Sequence, residues 1–246
     1  MQFDFSDKTI IITGATRGIG KQIAEDLFSL GARLILTGTK EEDIKKLNSL
    51  KKPNIKYYYL DNLKNNSVES FLEAISKLNK IDGLVNNAGI NILNPVQDVV
   101  LSDWDDMMLV NLTTPFRLIK AVSKKMIYNN YGRILNIASI FSIVSKENRV
   151  AYSSTKFGVN GLTVGSSNDL SKYNILCNSL SPGFVNTDLT KKNLSEKEIK
   201  KLISKIPVKR FAETSDISKI AVFLLSDLNQ YLTGQNIVVD GGFTNV

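Results

Sequence analysis

Histidine is missing from all 246 residues of this chain. That excludes a Ser-His-Asp hydrolase, a Cys-His protease and any histidine-bound metal site. Cysteine is nearly missing too. Cys177 stands alone, so no internal disulfide can form. It lies in the apolar run Asn174–Leu180, where a thiol reads as buried packing rather than as a nucleophile. With one cysteine and no histidine, zinc catalysis is not expected and no metal ligand is assigned. Proton transfer falls to tyrosine, lysine or a carboxylate. No continuous apolar run reaches the roughly 18 residues of a membrane span. The start, Met1 to Asp7, is acidic and lacks a basic region followed by an apolar stretch, so no signal peptide is read. These absences point to a cytoplasmic protein.

What is present suits one α/β domain over residues 1–246, since 43% hydrophobic residues are enough for a large core. The net charge of +7 is spread over scattered lysine pairs such as Lys45-Lys46, Lys124-Lys125 and Lys200-Lys201. A clustered basic stripe with interleaved aromatics is lacking, so nucleic acid is not an expected partner. Strand-like runs are predicted at 8–12, 33–37, 55–60, 82–86, 132–138, 175–180 and 236–239. Helical periodicity fills 18–30, 41–50, 65–79, 102–128, 151–173, 195–204 and 214–226. This alternation predicts a Rossmann-type doubly wound parallel sheet flanked by helices. Ligands bind such sheets beyond the carboxyl ends of the strands. Asn86, Ser139 and Pro182 all fall at or just past predicted strand ends.

Two motifs carry chemistry. Thr13-Gly14-Ala15-Thr16-Arg17-Gly18-Ile19-Gly20 follows a β-branched strand and opens a helix. Glycines there let the backbone turn tightly and approach a pyrophosphate, which then faces the amides of the helix start. The plainer alternative is that they make only a tight strand-to-helix turn. The second motif is Tyr152 and Lys156, four residues apart on one helix face, with Ser139 thirteen residues before the tyrosine. A lysine ammonium beside a phenol is expected to lower a pKa that otherwise sits near about 10. Such a tyrosine can exchange a proton with a carbonyl or hydroxyl oxygen. In isolation most Tyr-x-x-x-Lys pairs are surface decoration.

Taken together, the motifs resemble the short-chain dehydrogenase/reductase family, nearly end to end. The loop from Thr13 to Gly20 is similar to its cofactor loop, and Asn86-Asn87-Ala88-Gly89 to its mid-chain motif. Asn111, Ser139, Tyr152 and Lys156 match its active-site residues. Pro182-Gly183-Phe184-Val185-Asn186-Thr187 resembles its nicotinamide-side segment. Tyr231 to Gln235 and Val239 to Gly242 resemble its C-terminal signature. The ending and Ile206 to Phe211 look most like 3-oxoacyl-carrier-protein reductases and their sugar- and polyol-acting relatives.

The resemblance implies cofactor contacts at Gly14, Thr16, Arg17, Gly18, Ile19, Gly20, Thr37, Lys40, Asp61, Asn62, Asn87, Ala88, Gly89, Tyr152, Lys156, Pro182, Gly183, Val185 and Thr187. Asp61 would meet the adenine amino group; its other reading is a turn aspartate. Asn86 is read as a brace between strands. Asn111 would hold a helix bend and a water that links Lys156 to solvent; otherwise it is a satisfied core asparagine. NAD enzymes place an acid at the end of the second strand. None precedes Glu41 here, and Arg17 and Lys40 are positioned to neutralise a 2′-phosphate, so NADP(H) is expected over NAD(H). Residues 187–205 read as a substrate lid. The segment before Gly132 lacks the basic residues that carrier-protein reductases commonly carry there. The lead expectation is reduction of a 3-oxoacyl thioester, with an acyl carrier protein as possible partner. The alternatives are a sugar or polyol oxidoreductase in surface-glycan synthesis, and a non-catalytic dinucleotide sensor or scaffold. A homo-oligomer is expected, a tetramer by resemblance.

Overall fold

The computed structural model describes residues 3–187, 190 and 195–246. Seven strands form one parallel sheet in the order β3-β2-β1-β4-β5-β6-β7. They are β1 Thr9–Ile12, β2 Arg33–Gly38, β3 Ile55–Tyr59, β4 Gly83–Asn86, β5 Gly132–Ile137, β6 Ile175–Pro182 and β7 Asn236–Val239. Chain order reverses between β1 and β4, which opens a crevice above the carboxyl ends of those two strands.

The helices are α1 Gly18–Ser29, α2 Glu41–Ser49, α3 Asn65–Ser76, α4 Leu101–Met108, α5 Thr114–Tyr128, α6 Val150–Leu170, α7 Glu196–Lys205 and α8 Thr214–Leu225. Successive strand residues face opposite sides, and both sides of a parallel sheet must be covered. Ile10, Ile12, Leu34 and Leu36 accordingly pack on one face with Ile23 and Leu27 of α1 and Ile217 and Ala221 of α8. Ile11, Ile35 and Ile134 pack on the other with Phe71 and Ile75 of α3 and Leu118 and Val122 of α5. Cys177 is fully buried in this second layer, and burial pushes its thiol up to about 12.

Sequence and structure differ mainly at one helix. The single helix predicted over 102–128 is three pieces: α4, a π turn at Leu109–Thr113, and α5. The helix predicted over 151–173 passes into a 3₁₀ turn at Ser171–Tyr173, ended by Asn174 in the left-handed region at φ 57°. Part of the segment read from sequence as a lid, 188–189 and 191–194, lies outside the described residues. Thr187 and Thr190 share a hydroxyl hydrogen bond at 3.1 Å, and α7 follows, opened by a capping box between Ser195 and Glu198.

Candidate active site

The glycine loop is built from below by hydrogen bonds that leave its upper surface free. Thr37 is buried at the end of β2; its hydroxyl accepts from Gly14 N at 3.2 Å and its carbonyl from Ala15 N at 2.9 Å. The Thr13 hydroxyl accepts from the backbone amides of Asn87 and Ala88, both at 3.0 Å. The Asn87 amide donates to Thr13 O at 2.9 Å and Gly14 O at 3.1 Å. The Asn-Ala-Gly segment after β4 and the loop after β1 thus form one braced unit.

Gly14 and Gly18 sit at φ 63° and 57°, which a side chain would strain. A Cβ on Gly18 would meet only Thr187 Cγ2, at 3.8 Å. That sets Thr187, after β6, within van der Waals reach of a side chain at Gly18. Ile19 and Gly20 continue into α1. Its N-cap residue, Arg17, makes no side-chain cap, and no acid lies in the first turn. Uncapped amides with no competing carboxylate are a suitable cradle for phosphate.

Asn86 braces as expected: its amide donates to Asn136 Oδ1 at 2.8 Å, and Asn136 donates to Thr163 Oγ1 at 2.9 Å. Asp61 is partly committed to its own turn. Its carboxylate accepts from Leu63 N at 3.1 Å and lies 3.5 Å from Lys64 Nζ. Asn62 beside it is buried, with Oδ1 unpartnered. Thr16 packs at the turn, its methyl 2.6 Å from where a Gly38 Cβ would stand. Arg17 and Lys40 are exposed and unpaired among the described residues. Pro182 ends β6; Gly183 N donates to Val239 O at 2.9 Å, and Val185 bridges to Ala212.

The remaining four residues close the crevice from the β5 side. Ser139 follows β5, its Oγ accepting from Phe141 N at 3.2 Å. Tyr152 and Lys156 lie on α6. Lys156 Nζ is buried, donates to Ile137 O at 2.9 Å, and lies 5.6 Å from the Tyr152 ring centroid. Asn111 lies in the π turn. Its Oδ1 accepts from Ile90 N at 2.9 Å, and its Nδ2 donates to Ile90 O at 2.8 Å and Thr155 Oγ1 at 3.1 Å. The bend expected at Asn111 is therefore present. The amide is fully committed, however, and none of its hydrogen bonds reaches Lys156. A Cβ on Gly89 would stand 3.2 Å from Asn111 Oδ1 and 3.8 Å from Lys156 Nζ, so the β4 and α6 sides meet there.

Electrostatics correct one expectation. The Tyr152 phenol is not lowered by its lysine. Burial raises it, and the Ser139 hydroxyl and the Arg149 charge only partly oppose that. Burial also lowers Lys156 from 10.5 to about 8. Desolvation disfavours the charged form of each group, so the tyrosine and the lysine move in opposite directions.

Sequence reasoning missed Thr155, fully buried, which accepts from Asn111 and donates to Tyr152 O at 2.7 Å. It also passed over Arg149, whose guanidinium lies 6.0 Å from the Tyr152 ring centroid. Its place three residues before the tyrosine was the available signal. A groove of about 800 Å³ beside β3, lined by Tyr58, Tyr59 and Phe71, gathers none of the four residues.

A family model described as enoyl-(acyl carrier protein) reductase matches residues 14–244. The chain is 36% identical to the 3-oxoacyl-[acyl-carrier-protein] reductase FabG of Buchnera aphidicola subsp. Schizaphis graminum, over 96% of each chain. It is 37% identical to the FabG of Aquifex aeolicus, over 98% of this chain and 99% of that one.

The chain belongs to the short-chain dehydrogenase/reductase family. As a short-chain dehydrogenase/reductase it is an oxidoreductase acting between CH–OH and C=O, which sets aside the non-catalytic reading. The fold agrees. A gluconate 5-dehydrogenase from Burkholderia cenocepacia, solved in complex with NADP and tartrate, superposes with a TM-score of 0.91 at 29% identity, covering 99% of this chain and 98% of that one. ElxO with NADP bound gives 0.89 at 29% identity, covering 97% and 99%. No described helix is long and apolar enough to cross a membrane.

Proposed function

We propose that this short-chain dehydrogenase/reductase is an NADP(H)-dependent carbonyl reductase that converts a 3-oxoacyl thioester to the 3-hydroxyacyl form, with Tyr152 as general acid. The observation that carries this is the convergence of Asn111, Ser139, Tyr152 and Lys156 on the crevice beside the glycine loop. The thioester is favoured by the FabG relatives, which match over nearly the whole chain.

A bound reduced nicotinamide supplies the hydride that the carbonyl carbon receives. The protein's residues do the rest. Ser139 and Tyr152 hold the carbonyl oxygen between their hydroxyls. The raised phenol keeps its proton at neutral pH until an oxygen with developing negative charge draws it away. Lys156 then stands beside the phenolate as a cation and also binds the nicotinamide ribose. Asn111 holds the helix bend, and a water relay past it restores the proton. Gly14 to Gly20 cradle the pyrophosphate. Thr37, Asp61, Asn62 and Asn87 to Gly89 line the adenosine side; Pro182, Gly183, Val185 and Thr187 line the nicotinamide side. Tyr152→Phe removes the acid and keeps the ring. Turnover of a simple 3-oxoacyl thioester should fall by about 10²–10⁴-fold with NADPH affinity little changed. Retained turnover would rule out Tyr152 as the acid.

Arg17 and Lys40 support the preference for NADP(H). Both are exposed cations beside a β2 end that lacks an acid. Two charge-assisted contacts to a 2′-phosphate favour NADPH over NADH by about 1.5–3 kcal/mol. Arg17→Ala should narrow that gap in a fluorescence titration; equal affinities in the wild type would overturn the assignment.

A second reading, a sugar- or polyol-acting oxidoreductase, is favoured by the gluconate 5-dehydrogenase neighbour and by the neutral segment Tyr128–Tyr131. A panel of keto-sugars assayed beside the thioester separates the two. We place the enzyme in the cytoplasm as a homotetramer. Docking of an acyl carrier protein belongs to the thioester reading alone.

A further inference from the structure

We infer that the same site also reduces a short oxo acid, whose carboxylate binds the Arg149 guanidinium while its carbonyl oxygen meets Tyr152. This rests on the Tyr152 reading above.

Arg149 caps the start of α6, three residues before the tyrosine. Its guanidinium carbon lies 4.5 Å from the Phe141 ring centroid and 6.0 Å from that of Tyr152. Phe141 in turn packs edge-on against Tyr152 at 6.2 Å. The cation therefore lies on the Phe141 ring, beside the reacting tyrosine. Among the described residues no carboxylate pairs with it, and its buried Nε has no hydrogen-bond partner. A buried donor left unsatisfied is costly, and an ionised acceptor relieves it best. Lys146 lies near enough for the Arg149 charge to lower its pKa, and among the described residues the only charge felt at Arg149 itself is that of the Tyr152 phenolate. The thioester carbonyl of an acyl chain offers a neutral acceptor to such a group. A carboxylate close to the reacting carbon offers a bidentate anionic one.

The step balances as for the thioester. The reduced nicotinamide delivers hydride to the carbonyl carbon and is oxidised. The C=O π pair moves to oxygen, which takes the Tyr152 proton, and the carboxylate is unchanged.

The test compares acetoacetate with methyl acetoacetate in wild type, Arg149→Gln and Arg149→Lys, with NADPH as reductant. The acid-to-ester ratio of kcat/KM should fall by about 10–100-fold in Arg149→Gln. Arg149→Lys should restore part of it. A ratio in Arg149→Gln within about threefold of wild type would overturn the inference, being below what one charge-assisted contact contributes. So would a uniform loss on both compounds, which marks Arg149 as only positioning Tyr152. Failure of the wild type to reduce acetoacetate overturns it equally. Methyl acetoacetate reads the reductase itself. If Tyr152→Phe abolishes its turnover, the general-acid reading stands whichever way Arg149 falls.

Discussion

At the scale of residues, burial acts on Lys156 and Tyr152 in opposite senses, and the lysine leaves a signature in stability. Between about pH 8 and 10.5 the unfolded chain keeps a proton on Lys156 that the folded protein has released. Stability rises with pH wherever the unfolded state binds more protons. The wild type without cofactor should therefore gain stability relative to Lys156→Met as the pH rises through that window. The gain is on the order of 3 kcal/mol if the full shift is realised. Thermal melts of the two proteins across the range check it; parallel curves would mean that the lysine is not desolvated. The same cost at neutral pH means that a charged Lys156 works against the fold, as the catalytic role proposed for it expects.

Among the elements, the strand–loop–helix unit at β1 is the least tolerant. A Cβ on Gly20 would collide with the Asn87 amide and stand 2.6 Å from Gly14 O, a backbone atom that cannot swing away. Gly20→Ala should lower stability by about 1–3 kcal/mol, as overpacking does. It should also weaken NADPH binding, read by titration beside a denaturant melt.

That unit was legible from sequence because its glycines sit where a strand pattern passes into a helical one. All seven strands were legible for a related reason: short β-branched runs alternate with amphipathic stretches. The π turn was not. Leu109 to Thr113 are apolar but for Asn111 and Thr113, and five residues are too few to show a period of their own, so no residue type marks where the extra one is inserted. The tyrosine, lysine and serine were readable as a constellation, yet the direction of the Tyr152 shift was not. Spacing shows which groups are neighbours; the amount of protein around them is decided by tertiary packing. The contacts of Thr155 and Arg149 escaped for the same reason.

For the molecule as a whole, the outer faces of α5 and α6 are unfinished. Phe116 on α5, and Phe157 and Val164 on α6, are each about half exposed. Gly161 and Gly165, one turn apart, have nothing within 4 Å of where a Cβ would stand. Large apolar groups around a bare stretch of backbone suit close approach by a second helix, and two-fold symmetry would bring the same face of another copy. Light scattering at micromolar concentration should return about four times 27.3 kDa. Phe157→Asp should shift the mass downward, because a charge there is desolvated on assembly. The C-terminal Phe243, in contrast, is already used within the chain, edge-on to Phe184 at 5.2 Å.

The π turn sets the phase of everything after it. Each residue advances a helix by about 100°. A chain that relaxed this one turn into regular helix would roll α5 about its axis relative to α4. Leu118 and Val122 would leave the core, and Phe116 would leave the outer face. The distortion at Asn111, joined to α5 by the Thr114 N–H donating to Leu109 O, is thus locked by the packing of the whole of α5. A substitution there cannot straighten the helix without unseating Leu118, Ile119, Val122 and Met126 from that face of the sheet.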